Sequence, residues 1–186
     1  QLLRAGSDSE FPFSPIIASG PNSANPHAVP GERTITAGDL IVIDWGASYG
    51  GYISDLTRTV AIEPVEPEFR EIAKVVLEAN AAGRAAGRPG VPAGQVDQSA
   101  RSVINRADYG PFFIHRTGHG IGMETHEPPY IFGDNSLVLA PGMTFTVEPG
   151  IYLPGRGGVR IEDNMLITTD GAITLSDLPR ELLVLP

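Results

Sequence analysis

Four carboxylates and one histidine, Asp44, Asp55, Glu148, Glu162 and His119, have the types and setting to do chemistry in this sequence. Asp44 and Asp55 fall within Gly38–Thr59, GDLIVIDWGASYGGYISDLTRT, which reads as two β-strands joined by a Gly-rich turn. Leu40–Ile43 is an unbroken apolar run, as in a strand buried on both faces, and Asp44 closes it. Gly46, Gly50 and Gly51 supply the return. Carboxylates directed into such a setting are unfavourable unless a cation neutralises them. Oxygen donors with few imidazoles and no thiolate suit hard or borderline divalent ions, Mn²⁺ above all, with Co²⁺, Fe²⁺ or Zn²⁺ as alternatives. Four negative charges call for two dications, and such a pair can activate water and polarise a carbonyl.

Any one of these acids alone would be read as a solvated residue at a strand end. A repeated layout changes that. Gly38 to Gly46, GDLIVIDWG, matches Gly142 to Gly150, GMTFTVEPG: a glycine, a strand, a carboxylate, one residue and a glycine. Each is followed by a Gly-rich turn and a second acid, Asp55 in one and Glu162 in the other. Strand side chains alternate, so acids at facing positions of adjacent strands converge on one face. Two such hairpins about a pseudo-twofold would bring all four acids to one centre.

The histidines lie in Gly/Pro-rich segments. His115 and His119 belong to FIHRTGHGIG, whose glycines exclude a zinc-protease helix of the HExxH type and permit close backbone approach to a site. His126 sits in THEPPY and His27 in a Pro-rich loop after a brief strand at Ile16–Ala18. A shared cleft accommodates all four, although spacing alone assigns none of them. Trp45 and Tyr52 either line that cleft or pack beside the hairpin.

The elements that must position these groups are α+β with an antiparallel sheet. Gln1–Glu10 is polar and irregular. Apolar residues at Phe69, Ile72, Ala73, Val76 and Ala79 predict a helix over Glu66–Ala82, with Pro67 in its first turn. A second helix is expected over Gly94–Ala107. Phe112–Ile114, Tyr130–Phe132, Thr144–Glu148 and Val159–Ile167 read as strands. The helix pair precedes the second hairpin and nothing comparable precedes the first, so by symmetry the helices of the first half are missing. An opening Gln1 in place of Met agrees with a fragment.

At 186 residues the chain suits one domain with a sizeable core, and 41% hydrophobic content argues against disorder. A net charge of −9 without any basic run argues against a nucleic-acid partner. The absence of cysteine excludes disulfides and thiolate metal sites. No apolar stretch approaches a membrane span and no signal peptide is visible, which fits a cytoplasmic location.

The motifs PHAVP, IDWG, SDLTRT, HRTGHGIG, HEPP, FTVEPGIY and GVRIEDN together resemble the metallopeptidases that include methionine aminopeptidase, aminopeptidase P and prolidase. The resemblance runs from about Phe11 to the last residue. It implies the pita-bread fold, with a pseudo-twofold antiparallel sheet, and a catalytic domain over 1–186 lacking its N-terminal helices and a further N-terminal domain. It also implies two divalent metals, with Asp55 and Glu162 bridging them, Asp44 on one, and His119 and Glu148 on the other. His27, His115 and His126 match substrate-site histidines of catalytic importance, and Arg160 matches an arginine that lies near substrate and orients the bridging carboxylates. Glu148 is the candidate for proton transfer.

SDLTRT, EPGIY and GVRIED are similar to the Xaa-Pro peptidases rather than to methionine aminopeptidase. The implied activity is hydrolysis of the bond before proline in a di- or oligopeptide, by an Xaa-Pro dipeptidase (prolidase) or an aminopeptidase P, in a homodimeric protein. A non-catalytic binding protein on the same fold, or a metal-free amidinohydrolase such as creatinase, fits less well because all five ligand positions are filled.

Overall fold

The computed structural model describes Asp8 and residues 11–186. Apart from Asp8, the expected irregular segment Gln1–Glu10 lies outside the described residues. The first hairpin pairs β2 (Leu40–Tyr49) with β3 (Tyr52–Ile62) through an unbroken antiparallel register from Leu40↔Ala61 to Tyr49↔Tyr52. Its turn is Gly50–Gly51, and both glycines have positive φ (59° and 82°), as a two-residue return requires. Gly46 is not part of that turn. It lies inside β2, where a Cβ would strike the Ser54 carbonyl and the Phe13 ring, so its role is close approach. Nor does Asp44 end the strand, which runs on to Tyr49.

β1 (Ile16–Ser19) adds to the free edge of β2 in antiparallel sense. On the other side β11 (Leu183–Leu185) pairs in parallel with Val60–Ile62, so this sheet is not wholly antiparallel. A second sheet has the order β10-β9-β6-β4-β5, built from Ala172–Thr174, Asp163–Ile167, Thr144–Val147, Gly118–Gly120 and Glu127–Ile131. A ribbon of β7 (Gly150–Leu153) and β8 (Gly157–Arg160) completes the set. The expected strand at Val159–Ile167 is therefore two strands, broken at Ile161–Glu162.

The expected strand at Phe112–Ile114 is absent. Gly110–Phe112 forms a 3-10 turn, and Phe113 is buried with the Arg101 guanidinium 4.1 Å from its ring centroid. A short apolar run carries no period of its own, and Pro111 decides for the turn.

Two helices pack on the sheets. α1 (Pro67–Ala86) starts on Pro67 and buries Phe69, Ile72, Ala73, Val76 and Ala79, the face expected. It outlasts the expected end at Ala82 because Gly83 does not break it. A Cβ there would lie 2.8 Å from Val147 Cγ1, so the glycine lets the helix settle on β6. α2 (Ala93–Arg106) follows. One apolar core lies around α1 with Leu40, Ile104 and Ile151, and another joins Val96 to Ile131, Phe145, Val147 and Ile167. No helix among the described residues is long and apolar enough to cross a membrane.

The two hairpins are related residue by residue. Gly38 and Gly142 both have left-handed φ (88° and 91°). Gly38 N–H donates to the Ile62 carbonyl, and Gly142 N–H to Ile167, at 3.1 and 2.9 Å. Ile62 N–H returns to Asp39 and Ile167 N–H to Met143, at 2.8 and 2.9 Å. The register of β6 with β9 continues unshifted into that of β7 with β8, so the second hairpin is one ladder interrupted where Glu148 and Glu162 sit.

Candidate metal centre

The site lies where the two hairpins meet, in a cavity of about 570 Å³. Asp44, Asp55, His119, Glu148 and Glu162 all line it, as do His27, His115, His126 and Arg160. Phe13, Ser14, Pro26, Arg116 and Thr125 contribute as well. Tyr52 is exposed and Trp45 half-buried, and neither is among the lining residues.

Asp44 and Asp55 reach one face of the first hairpin because Asp44 pairs with Thr57 and Asp55 stands two residues earlier on β3. Glu148 and Glu162 sit just outside β6 and β9. Each is held by a backbone bond from another element: Glu148 N–H donates to the Thr117 carbonyl at 2.8 Å, and Glu162 N–H to Thr57 at 3.1 Å. The pseudo-twofold thus matches Asp44 with Glu148 and Thr57 with Glu162. It matches Asp55 with Arg160, not with Glu162 as the sequence echo suggests.

Asp55, His119 and Glu162 are buried and each offers a donor atom within 4.8 Å of the others. His119 Nε2 is 3.3 Å from Glu148 Oε1 and 3.7 Å from Asp55 Oδ2. His119 Nδ1 lies 3.1 Å from the Gly120 carbonyl, which can only accept, so Nδ1 carries the proton and Nε2 turns its lone pair into the cavity, free for a cation. Thr57 Oγ1 donates to Glu162 Oε2 at 2.6 Å, and Thr146 Oγ1 to Glu148 Oε1 at 3.2 Å.

Burial, then the charges of Asp44 and Glu148, push the Asp55 carboxyl up to about 9. Burial first, with Asp44 adding to it, lifts Glu148 to about 7 against the Arg160 charge. Glu162 is raised well above the usual carboxylate range by burial and then by Asp55. Burial holds His119 at about 4, its neutral form. Such a group of acids is strained without a cation. Among the described residues Asp44 Oδ1 and Asp55 Oδ1 are buried with no hydrogen-bond partner. Carboxylate oxygens with one neutral imidazole are the donor set of a hard or borderline divalent ion, and these residues fit one.

Two residues outside the ligand set organise the wall. Arg160 Nη2 lies 2.6 Å from Asp44 Oδ2, its Nε donates to Thr57 Oγ1 at 3.2 Å, and Nη1 donates to Tyr152 Oη at 3.0 Å. Tyr152 is buried, and its hydroxyl is 2.8 Å from His115 Nε2. His115 Nδ1 is 2.7 Å from the Arg116 carbonyl, so both ring nitrogens of His115 are engaged by the protein. His27 and His126 are exposed at the mouth, with the His126 ring edge-on to His119 at 4.2 Å between centroids. Sequence reasoning missed Thr57, Thr146 and Tyr152. All three lie inside quoted motifs, Thr57 in SDLTRT and Thr146 and Tyr152 in FTVEPGIY, which was the signal available for them.

Fold and site together define a candidate metal centre built on duplicated carboxylate hairpins. The model of metallopeptidase family M24 matches residues 1–169. The chain belongs to that family. It is 47% identical over 182 residues to the Xaa-Pro dipeptidase of Pyrococcus furiosus, which covers 98% of this chain and 52% of that protein. A crystal structure of a dipeptidase from Pyrococcus horikoshii OT3 superposes with a TM-score of 0.96 at 49% identity, over 99% of this chain and 51% of that one. A crystal structure of an X-Pro aminopeptidase from Thermotoga maritima gives a TM-score of 0.94 at 41% identity, over 98% and 52%. The chain spans about half the length of the curated relatives it matches.

Proposed function

We propose that this chain forms the catalytic part of a metal-dependent peptidase that hydrolyses the bond before proline, an Xaa-Pro dipeptidase. The observation that carries the reading is the convergence of Asp44, Asp55, His119, Glu148 and Glu162 on one cavity, in a chain that is 47% identical to an Xaa-Pro dipeptidase. Two divalent ions, Mn²⁺ in the first place, would supply Lewis-acid polarisation of the scissile carbonyl and a more acidic water. Asp55 and Glu162 would hold both ions, Asp44 one of them, and Glu148 with the Nε2 atom of His119 the other.

Glu148, an acid that lines the cavity, is the candidate to take a proton from water and return it to the leaving proline nitrogen. His27 and His126 stand at the mouth, where their imidazoles would bind substrate and stabilise the tetrahedral intermediate. His115 is assigned a positioning role instead of proton transfer, since Arg116 and Tyr152 occupy both its nitrogens. Arg160 orients Asp44 and Thr57 from behind. The protein that carries this chain is read as a cytoplasmic homodimer.

The likeness to the Thermotoga maritima X-Pro aminopeptidase supports a second reading, cleavage of longer peptides with proline second. Hydrolysis of an Xaa-Pro dipeptide and an Xaa-Pro-Yaa tripeptide, with Mn²⁺ and after chelation, separates the two. Metal-dependent cleavage of the dipeptide alone is the expected result. Cleavage of the tripeptide would favour the aminopeptidase, and cleavage of neither by metal-loaded protein would remove the Xaa-Pro reading.

A further inference from the structure

Two guanidinium groups reach the cavity wall, those of Arg160 and Arg116. Arg160 is buried and its N–H groups are taken by Asp44, Thr57, Tyr152 and the Pro26 carbonyl, at 2.6 to 3.3 Å. Arg116 is half-buried, and among the described residues its guanidinium has neither a hydrogen bond nor an ion pair. Its side-chain contact is the ring of Tyr130, 4.8 Å from the guanidinium carbon to the ring centroid. A guanidinium resting on an aromatic ring keeps its N–H edge available, and its orientation is fixed in advance.

The setting selects what that edge would take. Among the described residues no carboxylate pairs with Arg116, so its N–H edge is left for an anionic group of a ligand. Arg116 lines the same cavity as His119, His126 and Glu148. It therefore acts in the same space as the proposed chemistry. Its planar fork matches a carboxylate through paired charge-assisted bonds.

We propose that Arg116 is a specificity-determining residue that binds a carboxylate of the substrate peptide. The inference rests on the Xaa-Pro peptidase reading and deepens it, because it makes a free carboxylate a requirement for good turnover. That group is either the C-terminal carboxylate of a dipeptide or an acidic side chain on the residue before proline. Tyr130 holds the guanidinium in position for it.

The test compares Ala-Pro, Ala-Pro-amide and Glu-Pro-amide with metal-loaded wild-type protein, Arg116→Gln and Arg116→Lys. The glutamine variant is expected to raise KM for the carboxylate-bearing substrate by about 10–100-fold, a span in line with charge-assisted hydrogen bonds, with kcat moving far less. The loss on that substrate should exceed the loss on Ala-Pro-amide at least tenfold. Lysine, which keeps the charge without the fork, should recover part of it and also shows that a variant at this position folds. A selective loss on Ala-Pro assigns the C-terminal carboxylate, and a selective loss on Glu-Pro-amide assigns the acidic side chain. Equal losses on all three peptides overturn the inference. Turnover of none would count against the peptidase reading, and calorimetry then decides on Arg116. Metal-loaded protein that binds Ala-Pro and Glu-Pro-amide no better than Ala-Pro-amide would sink the proposal, and a preference that vanishes in Arg116→Gln would uphold it.

Discussion

The two hairpins share a backbone and differ in what they place on it. Opposite Asp44 the first hairpin has Thr57, and the register carried one step past β6 sets Glu162 opposite Glu148. Two residues earlier on the return strand the first has Asp55 and the second Arg160. The hairpins then dock so that matched residues meet. Thr57 donates to Glu162, and Arg58 pairs with Asp163 at 2.9 Å. Thr59 Oγ1 donates to the Arg160 carbonyl while Asn164 Nδ2 donates to that of Asp55, at 2.9 and 2.7 Å. A symmetric framework thus carries an asymmetric centre: each copy contributes two acids, but the second acid stands at different positions on the two return strands, and the Arg160 guanidinium of the second copy steadies Asp44.

Removing either acid proposed to hold both ions should have the largest effect. Asp55→Asn or Glu162→Gln is expected to abolish metal binding by calorimetry. Turnover should fall by more than the roughly 100-fold that loss of an outer partner brings. Retained stoichiometric metal in either variant would refute the assignment of these two acids.

The threonines give the sharper comparison. Thr57→Val and Thr146→Val remove one hydroxyl each, from Glu162 and Glu148. The Thr57 bond is shorter and both its ends are buried (2.6 against 3.2 Å). Thr57→Val should lower metal affinity by about 10–100-fold and Thr146→Val by less. The reverse order would show that the second hairpin, not the first, sets the centre.

Proton linkage follows from the raised carboxyls. A group near 9 retains its proton at pH 7, one near 7 retains it half the time, and Glu162 is raised as well, so metal loading must displace protons at pH 7. Apparent affinity should rise with pH up to about 9, measured by calorimetry in buffers of different ionisation enthalpy. Without metal the sign for stability is opposite. Asp55, raised from 3.8, favours the fold below that value, and the contribution is lost as pH climbs to about 9. Thermal unfolding of chelated protein should show that decline.

The smallest effect expected is on packing. Gly83→Ala would press a methyl against Val147 Cγ1 at 2.8 Å, at a cost of about 1–3 kcal/mol. Thermal denaturation should show a lower Tm with the metal stoichiometry unchanged.

Much of this arrangement was legible in the sequence because carboxylates in apolar strands are anomalous and the anomaly occurs twice. Both helices showed through their apolar stripes. Three features were hidden by the same limit, that sequence spacing carries no register. Gly46 reads like a turn residue although the Ser54 carbonyl and Phe13 are what require it. Asp55 and Glu162 look like counterparts although they stand two positions apart on matched strands. Arg116 and Tyr130 are fourteen residues apart in sequence and meet only through the fold.

The parallel pairing of β11 with β3 has a consequence for how the chain assembles. Val60–Ile62 belong to the hairpin that carries Asp44 and Asp55, yet Leu183–Leu185 follow both helices and the whole second hairpin in sequence. Until those residues are synthesised, the outer edge of β3 presents unpaired N–H and C=O groups, a surface on which another chain can add a strand. So distant a pairing also carries a large loop-closure entropy and belongs to the slow steps of folding. The nascent protein therefore keeps a short pairing-competent edge open on the hairpin that carries Asp44 and Asp55 until its last strand is made.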